Sequence, residues 1–291
     1  MGVALVIGGF YLTRGLLALG QLKRDPGLAT DYDGRPVAGK GQNFLVLSRS
    51  TSDRTDVVIV VHLNQERNQL QLVSLPRDLE ITVGGIRDQL ADFSAADRPG
   101  VLRAVESLLG ARMAHVAQVD IKGFVGLTET LGGVTVDNPY RSTTPTGITF
   151  ERGVITVRGE TALAFVGDDS AIPDRDRVLA ERQRSVLRGV VLKVLRPETL
   201  ANPVTFSAVA DELVRYVIVD ESLTTAALWD YATTTRLGGS ADIRAAQPPV
   251  RGTSSTPTGD VITLLDRAKL AELGDALRSD TMAAYQARYP A

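Results

Sequence analysis

The chain has 291 residues, a formal net charge of −2, 44% hydrophobic residues and no cysteine. Such values are typical of a globular protein with one large domain or two small ones, and they exclude disulfides and cysteine-based metal sites. The near-neutral charge argues against nucleic acid as a partner, because nucleic-acid binding requires a strongly basic surface.

The N-terminal stretch is mostly apolar but is interrupted by Arg14. A membrane span needs about 20 apolar residues, and a charge at the bilayer centre costs at least about 2.5 kcal/mol. We expect residues 1–22 to form a membrane anchor, with Arg14 either snorkelling or marking the outer end of a span that starts further upstream. An ordinary buried helix is the alternative, and Gly8 and Gly9 count against it. Residues 23–42, which are aperiodic and rich in Gly, Pro and Asp, are predicted to be a linker.

The folded domain is predicted to span residues 43–280, with a tail at residues 281–291. Its first two strands, at 43–48 and 56–63, are continuous apolar runs rich in β-branched residues, which is typical of strands buried on both faces. A third strand at 69–75 is expected to pair with the second strand as a hairpin.

Beyond this hairpin, helical periods of apolar residues alternate with short strands. Helices are expected at 99–110, 122–133, 159–166, from Pro173 onward, 204–217, 222–236 and 266–279; strands at 114–120, 134–138, 242–248 and 261–264; and a loop at 251–259. This alternation predicts an α/β fold in a single domain, a layered sheet with helices on both faces.

The segment 74–80, Ser-Leu-Pro-Arg-Asp-Leu-Glu, ends a buried strand and should project Arg77 from the edge of the sheet. An arginine binds phosphate or carboxylate through two parallel hydrogen bonds, and ligands of α/β sheets bind beyond the strand ends. A local bridge between Arg77 and Asp78 within a turn explains the same residues equally well.

A carboxylate, Asp56, stands at the start of the second predicted strand. That position can offer an oxygen ligand to Mg²⁺. An aspartate that only forms a turn before a strand is the alternative, and a single carboxylate favours this alternative.

The stretch from Phe165 to Arg184 has four arginines in its last ten residues, after an acidic Gly-Asp-Asp segment. A helix here places Val178, Leu179, Val186 and Val190 on one face and Arg177, Glu181, Arg184 and Arg188 on the opposite, solvated face. Arg182 and Gln183 fall within or beside the apolar stripe. Because a buried arginine is costly unless an anion meets it, Arg182 is the functional candidate. The alternative is a snorkelling arginine at the edge of the stripe.

Both histidines, His62 and His115, lie in apolar strands. Neither has the sequence spacing of a metal site or a catalytic triad, and no glycine-rich phosphate loop is recognisable. Each is predicted to be a core residue with its hydrogen bonds satisfied.

Blocks of sequence along the chain occur in the order that one family shows. They are Asn-Phe-Leu-Val-Leu-Ser (43–48), Arg-Thr-Asp (54–56), His-Leu-Asn (62–64), LVSLPRD (72–78), VESLLG (105–110), HVAQVDIKGF (115–124), LGGVTVDNP (131–139), GETALAFV (159–166) and ERQR (181–184). Over residues 41–280 the chain therefore resembles the LytR–CpsA–Psr (LCP) family.

The resemblance implies a mixed β-sheet flanked by helices, an apolar tunnel for a polyprenyl chain, and one N-terminal span that holds the domain outside the cell membrane. It implies transfer of a glycopolymer from polyprenyl diphosphate to peptidoglycan or another wall glycan, with Mg²⁺ as cofactor. By motif position, Arg77 would bind the diphosphate, Asp56 would act as a metal ligand or base, and Arg182 and Gln183 would contact phosphate. Asp56 and Arg77 are thus the expected catalytic pair.

The chain departs from the family pattern at three segments, one of which is a Lys-Ile-Asn block that is not recognisable near residues 87–89. The first strand of the family usually ends in Gly-x-Asp-x-Arg, whereas Ser50 and Ser52 stand here in place of the metal-binding aspartate and the arginine. The usual Tyr-Val-Arg-x-Arg is replaced by residues 165–169, Phe-Val-Gly-Asp-Asp, so that both arginines are missing. These replacements favour the alternative of a catalytically silent relative that binds polyprenyl lipid or glycan as an accessory or regulatory module. Both hypotheses place a wide apolar tunnel beside Arg77 and Arg182.

Overall fold

The computed structural model describes residues 14–15, 17–49, 55–76, 78–83, 85–90, 98–167, 172, 175–194, 196, 198–199, 202–246, 248–255 and 261–290. Contacts divide the chain into two compact units, where a single domain was expected. The first unit comprises Met1–Asp25 and Val119–Thr235, and the second comprises Pro26–Gln118 and Arg236–Ala291.

Strands and helices alternate along most of the described chain. The strands are β1 Lys23–Asp25, β2 Gln42–Arg49, β3 Thr55–Leu63, β4 Leu70–Leu75, β5 Glu80–Val83, β6 Ile86–Gln89, β7 His115–Asp120, β8 Val134–Asn138, β9 Ser142–Thr143, β10 Thr149–Phe150, β11 Gly153–Val157, β12 Val217–Asp220, β13 Ile243–Ala246, β14 Val250–Ser255 and β15 Val261–Leu265. The helices are α1 Arg98–Leu109, α2 Ile121–Thr130, α3 Glu160–Val166, α4 Arg175–Val194, α5 Pro203–Tyr216, α6 Thr225–Thr234, α7 Arg267–Ser279 and α8 Met282–Arg288.

The second unit is built on a mixed sheet with the strand order β7, β2, β3, β4, β13. Strands β2, β3 and β4 pair antiparallel, whereas β13 runs parallel to β4. Three successive residues of β3, Val58, Ile59 and Val60, are at most 2% exposed, which confirms that this strand is buried on both faces. The mixed sheet and its helices confirm the α/β class that the sequence predicts.

The first unit has its own core around two aromatic rings, Phe150 and Phe165, whose centroids lie 5.2 Å apart in an edge-to-face arrangement. Val134 of β8 and Val186 of α4, both fully buried, belong to the same cluster. Strands β8 and β11 pair antiparallel, and β1 pairs parallel with β12. The core therefore packs α4 against β8, the strand that ends at Asn138.

Both segments predicted to lie outside the folded domain contain ordered structure. Within the predicted linker, residues 23–25 form β1 and Leu28 is 1% exposed. The predicted tail contains α8, where Tyr285 is 6% exposed. The predicted loop at 251–259 also differs, because β14 extends through Ser255 and pairs with β15.

Candidate functional site

The sequence places Asp56 and Arg77 at one edge of the second unit's sheet. The register pairs Val58 of β3 with Leu75 of β4, so β3 begins at the edge where β4 ends. Asp56 is the second residue of β3, but its side chain, like the whole of Arg77, lies outside the described residues. The antiparallel pairing therefore agrees with the expectation that both positions lie at the same edge of the sheet. The roles of the two residues stay a prediction.

Hydrogen bonds hold the backbone on either side of position 77. The amide of Leu79 donates to the carbonyl of Pro76 at 3.2 Å, and the amide of Thr263 donates to the carbonyl of Asp78 at 3.1 Å. The buried carboxylate of Asp78 accepts a hydrogen bond from the Thr263 hydroxyl at 2.7 Å. Asp78 thus has a hydrogen-bond partner on β15. This partner lies outside the turn, whereas the alternative explanation of Arg77 was an Arg77–Asp78 bridge within the turn.

Arg182 points into the first unit, as its position in the helical repeat predicts, and is 0% exposed. Its guanidinium donates to the Asn138 side chain at 3.0 Å, to the Ser142 hydroxyl at 2.7 Å and to the carbonyls of Tyr140 at 3.0 Å and Phe165 at 3.4 Å. It also lies over the Phe165 ring, 4.6 Å from the centroid. The alternative of a snorkelling arginine is wrong, because the whole side chain is buried.

The partners of Arg182 are themselves fixed. Asn138 ends β8, and its amide donates to the carbonyls of Phe150 and Glu151, which orients its oxygen toward Arg182. Ser142, 7% exposed, begins β9. Arg182 therefore ties α4 to the segment between β8 and β9. The oxygen atoms of Asn138, Tyr140 and Ser142 that accept its hydrogen bonds are neutral.

Several described side chains of α4 agree with the predicted helical faces, and Arg184 does not. Val178, Val186 and Val190 are at most 8% exposed, as expected of the apolar face, and Gln183 is half-buried. Arg184, predicted to lie on the solvated face, is only 3% exposed. Tertiary packing covers this position, which helical periodicity within one element cannot show.

An apolar cavity of about 450 Å³ lies in the first unit. Its walls come from the end of α4, from α5, from α6 and from residues 15–22, and include Val194, Phe206 and Trp229. Val194 follows Arg182 by twelve residues on α4, which is about 18 Å at 1.5 Å per residue, and Arg182 is not part of the lining. The cavity thus has the expected apolar character but does not open beside Arg182.

Sequence reasoning identified none of the residues that line this cavity. They come from four separate segments, and each lining residue reads as an ordinary apolar position of its own helix. The one sequence signal that could have pointed to a cavity is that several helices of the first unit, α5 among them, have apolar faces. That signal indicates buried surface without showing whether the space between the faces is filled.

The end of the predicted membrane anchor packs against protein. Ala18 and Leu22 are at most 9% exposed, and Arg14 forms an ion pair with Asp211 of α5. Among the residues that the structure describes, no helix is both long and apolar enough to cross a membrane. Most of the predicted anchor, residues 1–13, lies outside the described residues.

The residues that the structure describes contain no group of three or more Asp, Glu, His or Cys side chains arranged to hold a metal ion. The carboxylate expected to hold Mg²⁺, that of Asp56, lies outside that part of the chain. The described residues alone therefore do not make a Mg²⁺ site.

The prediction for His62 is confirmed, since this residue is 1% exposed and both ring nitrogens have partners. Nδ1 lies 2.7 Å from Oδ1 of Asn43, and Nε2 lies 2.9 Å from Oδ1 of Asp280. Burial lowers the pKa of His62 from its ordinary value of 6.5, and Asp280 partly offsets this effect. His115 is half-buried and lies against the ring of Phe44 at 5.7 Å.

Comparison with known proteins places these features in one family. The model of the LytR_cpsA_psr family matches residues 31–279. The cell wall biosynthesis protein LcpA of Corynebacterium glutamicum is 28% identical over 267 residues, covering 79% of this chain and 49% of that protein. The polyisoprenyl-teichoic acid–peptidoglycan teichoic acid transferase TagU of Bacillus anthracis is 32% identical over 145 residues, covering 48% of this chain and 47% of that protein. In both cases the matched region is about half the length of the relative.

Solved structures show the same fold. The crystal structure of TagV from B. subtilis superposes with a TM-score of 0.69 at 19% identity, covering 84% of this chain and 99% of that one. At this level of identity, the similarity establishes the fold and leaves the chemistry to be argued from the residues.

Proposed function

Since the chain belongs to the LytR–CpsA–Psr family, we propose that it is an extracytoplasmic phosphotransferase that moves a polyprenyl-diphosphate-linked glycopolymer onto peptidoglycan or another wall glycan. A hydroxyl of the acceptor attacks the phosphorus that carries the glycopolymer. The bond from that phosphorus to the bridging oxygen breaks, and polyprenyl monophosphate leaves.

The apolar cavity of the first unit carries this proposal. A donor of this class has a long hydrocarbon tail, which requires a dry, apolar binding surface. At about 450 Å³, the cavity falls within the roughly 300–1,000 Å³ range of ligand sites, and its lining is aliphatic and aromatic apart from two threonines. We assign it to part of the polyprenyl chain.

The polar residues take the roles that their motifs suggest. Asp56 and Arg77 are the proposed catalytic pair, with Arg77 neutralising the diphosphate. Gln183 is proposed to contact phosphate directly from its half-buried position beside Arg182. The guanidinium of Arg182 is already engaged by protein oxygen atoms, so its proposed contribution to phosphate binding is its positive charge.

Mg²⁺ is the proposed cofactor, with Asp56 as its candidate ligand. A divalent ion would supply charge neutralisation at the diphosphate. Among the described residues no further carboxylate group is arranged to complete its coordination.

We further propose that the apolar N-terminal stretch tethers the protein to the outer side of the cell membrane as a single span. Such a span would have to end before Arg14, whose ion pair with Asp211 fixes it to the first unit, and would need about 20 apolar residues, which corresponds to the alternative of a span that starts further upstream. The tether would keep the cavity lined by residues 15–22 close to the lipid donor.

A second candidate function is a catalytically silent module that binds polyprenyl lipid or glycan. The sequence departures favour it, because residues 165–169 lack both arginines that the family usually carries there. The engagement of Arg182 by neutral protein atoms favours it as well, since a diphosphate would have to compete with those contacts.

The deciding experiment measures release of polyprenyl phosphate from a polyprenyl-diphosphate-linked oligosaccharide in the presence of peptidoglycan, with and without Mg²⁺. The native chain is compared with Arg77→Ala and Asp56→Ala. Loss of a group that stabilises the transition state lowers turnover by about 100-fold or more. Arg152→Ala and Asp33→Ala, at exposed residues, are the matched controls and should retain activity.

Three outcomes separate the hypotheses. Mg²⁺-dependent turnover that both site variants abolish supports the transferase. No turnover in a chain that still retains polyprenyl phosphate supports the silent module. Absence of both turnover and lipid retention contradicts both proposals.

A further inference from the structure

The second unit contains an open cleft of about 900 Å³ that differs in chemistry from the apolar cavity. Its walls come from β5, β15, α1 and the start of α7. Apolar side chains form part of the lining, among them Leu79, Ile81 and Leu270, each at most 6% exposed. Ser107, Thr82 and Thr263 add hydroxyl groups to the wall. The cleft is therefore wide, accessible and of mixed polarity.

Two arginines, Arg251 and Arg267, line this cleft and are exposed. Within the part of the chain that the structure describes, neither guanidinium takes part in an ion pair or hydrogen bond. The acidic residues of the lining are already in use. Asp266 caps α7 by accepting from the amides of Ala268 and Lys269, and Glu80 has a partner within the protein. The cleft thus offers two cationic groups that remain available to a ligand.

The backbone directs Arg251 to this position. The register passes from Val250 opposite Leu265 to Gly252 opposite Leu264, so that Arg251 is an extra residue in β14. A β-bulge of this kind redirects a side chain out of the regular alternation, and bulges are common beside functional sites. In this chain the redirected side chain is an arginine that lines the cleft.

We propose that this cleft binds an acidic glycan strand, the acceptor of the transfer reaction, through its carboxylate or phosphate groups. Arginine is suited to such groups because its planar fork donates two parallel hydrogen bonds. The open, partly apolar floor fits the faces of a polysaccharide better than it fits a compact ion. The identification of the strand as the acceptor rests on the proposed function, whereas binding of an anionic glycan does not.

The cleft is continuous with the segment that carries Arg77. Leu79 and Glu80, which line it, follow Arg77 by two and three residues. Thr263, also in the lining, is fixed to the same segment. Its amide donates to the carbonyl of Asp78 and its hydroxyl donates to the carboxylate of Asp78. A strand held in this cleft therefore lies against the same short segment that the proposed catalytic arginine belongs to.

The test measures binding of soluble peptidoglycan fragments with free carboxylates to the full chain by calorimetry at low and high salt. The double variant Arg251→Glu with Arg267→Glu should bind at least about tenfold more weakly, since it removes two charge-assisted hydrogen-bond donors and places negative charge where an anion would bind. The control is Arg152→Glu with Arg244→Glu, which changes the net charge equally at two exposed residues outside the cleft. It should bind within about twofold of the native chain, as expected for charges remote from the ligand.

Two further arms identify the ligand group and separate this inference from the proposed function. Fragments with amidated carboxylates and poly(glycerol phosphate) distinguish carboxylate from phosphate as the group that binds. Retention of polyprenyl phosphate, measured on the same proteins, should be unchanged in both double variants. Equal glycan affinity in the two double variants, or no binding of either polymer by the native chain, overturns the cleft assignment and leaves the lipid site standing.

Discussion

His62 and Asp280 are joined by a partly buried hydrogen bond in which Nε2 of the imidazole lies 2.9 Å from Oδ1 of the carboxylate. Asp280 follows the last residue of α7 in a left-handed conformation, with φ of 62°. Its other oxygen accepts the amide of Gln65 at 3.0 Å. The contact therefore fastens the end of α7 to the end of β3 and the turn that follows it.

Burial of His62 makes stability depend on pH, and the contact with Asp280 partly offsets the effect. The pKa of His62 is lowered from 6.5 by burial, so the unfolded chain binds more protons than the folded chain as the pH falls below 6.5. We expect the free energy of unfolding to decrease in that range, by at most about 1.4 kcal/mol per pH unit from this group. Urea unfolding between pH 7.5 and pH 5 measures the slope. His62→Gln should have a shallower slope over the same range, and an unchanged slope would contradict the assignment.

Burial also separates two ion pairs of the same length. Nε of Arg35 lies 3.0 Å from Oε2 of Glu106, whose side chain is fully buried, and Nε of Arg141 lies 3.0 Å from Oε2 of Glu151, where both side chains are more than 60% exposed. Arg35→Met leaves a buried carboxylate without its cation and should cost about 3–5 kcal/mol. Arg141→Met should cost less than about 1 kcal/mol. Thermal or urea unfolding of the two variants gives the comparison, and similar losses would be inconsistent with it.

The hydrogen bonds of Arg182 predict a large effect from a substitution that keeps its charge. Arg182→Lys cannot reproduce the bonds to Asn138, Ser142 and two carbonyls, so we expect a loss of about 2–4 kcal/mol in the free energy of unfolding. Arg188→Lys, at an exposed position of the same helix, should change it by less than about 0.5 kcal/mol. If Arg182→Lys has the stability of the native chain but loses phosphate binding, the prediction is wrong and the main role of Arg182 is to bind the ligand.

The apolar cavity can be narrowed without disturbing the core, because Ala232 of α6 lines it and is exposed. Ala232→Trp should lower retention of polyprenyl phosphate by about tenfold or more, since an indole occupies space that the lipid needs. Ala226→Trp places the same indole at an exposed position of the same helix that does not line the cavity. Retention of labelled polyprenyl phosphate by the two variants is the measurement, and equal retention would rule out this cavity as the lipid site.

Most helices and the central strands follow from the sequence because their apolar residues recur with the period of the element. Strand β14 does not, since all six of its residues are exposed and no burial pattern marks it. Strand β1 has only three residues and is defined by backbone pairing with β12. Both cases show that pairing without burial leaves little trace in the order of side chains.

The part of the candidate site that lies on α4 could be predicted from the sequence, because the helical period of one element determines it. Helical phase alone places Arg182 inside the first unit. The same phase places Arg184 outside, although neighbouring elements cover it. The cleft that holds Arg251 and Arg267 depends on a β-bulge and on helices distant in sequence, which no local pattern reveals.

The ion pair of Arg35 and Glu106 also limits where a stable fragment of the second unit can begin. Glu106 accepts from Tyr32 at 2.7 Å and from the amide of Met113 at 2.7 Å, in addition to Arg35. A fragment beginning at Asn43, the boundary that the sequence suggested, would lose Arg35 and Tyr32 together and leave the Glu106 carboxylate on α1 without its cation and without the phenol hydroxyl. The shortest stable form of this unit therefore has to begin upstream of Leu28, so that the apparent linker is retained as part of the folding unit.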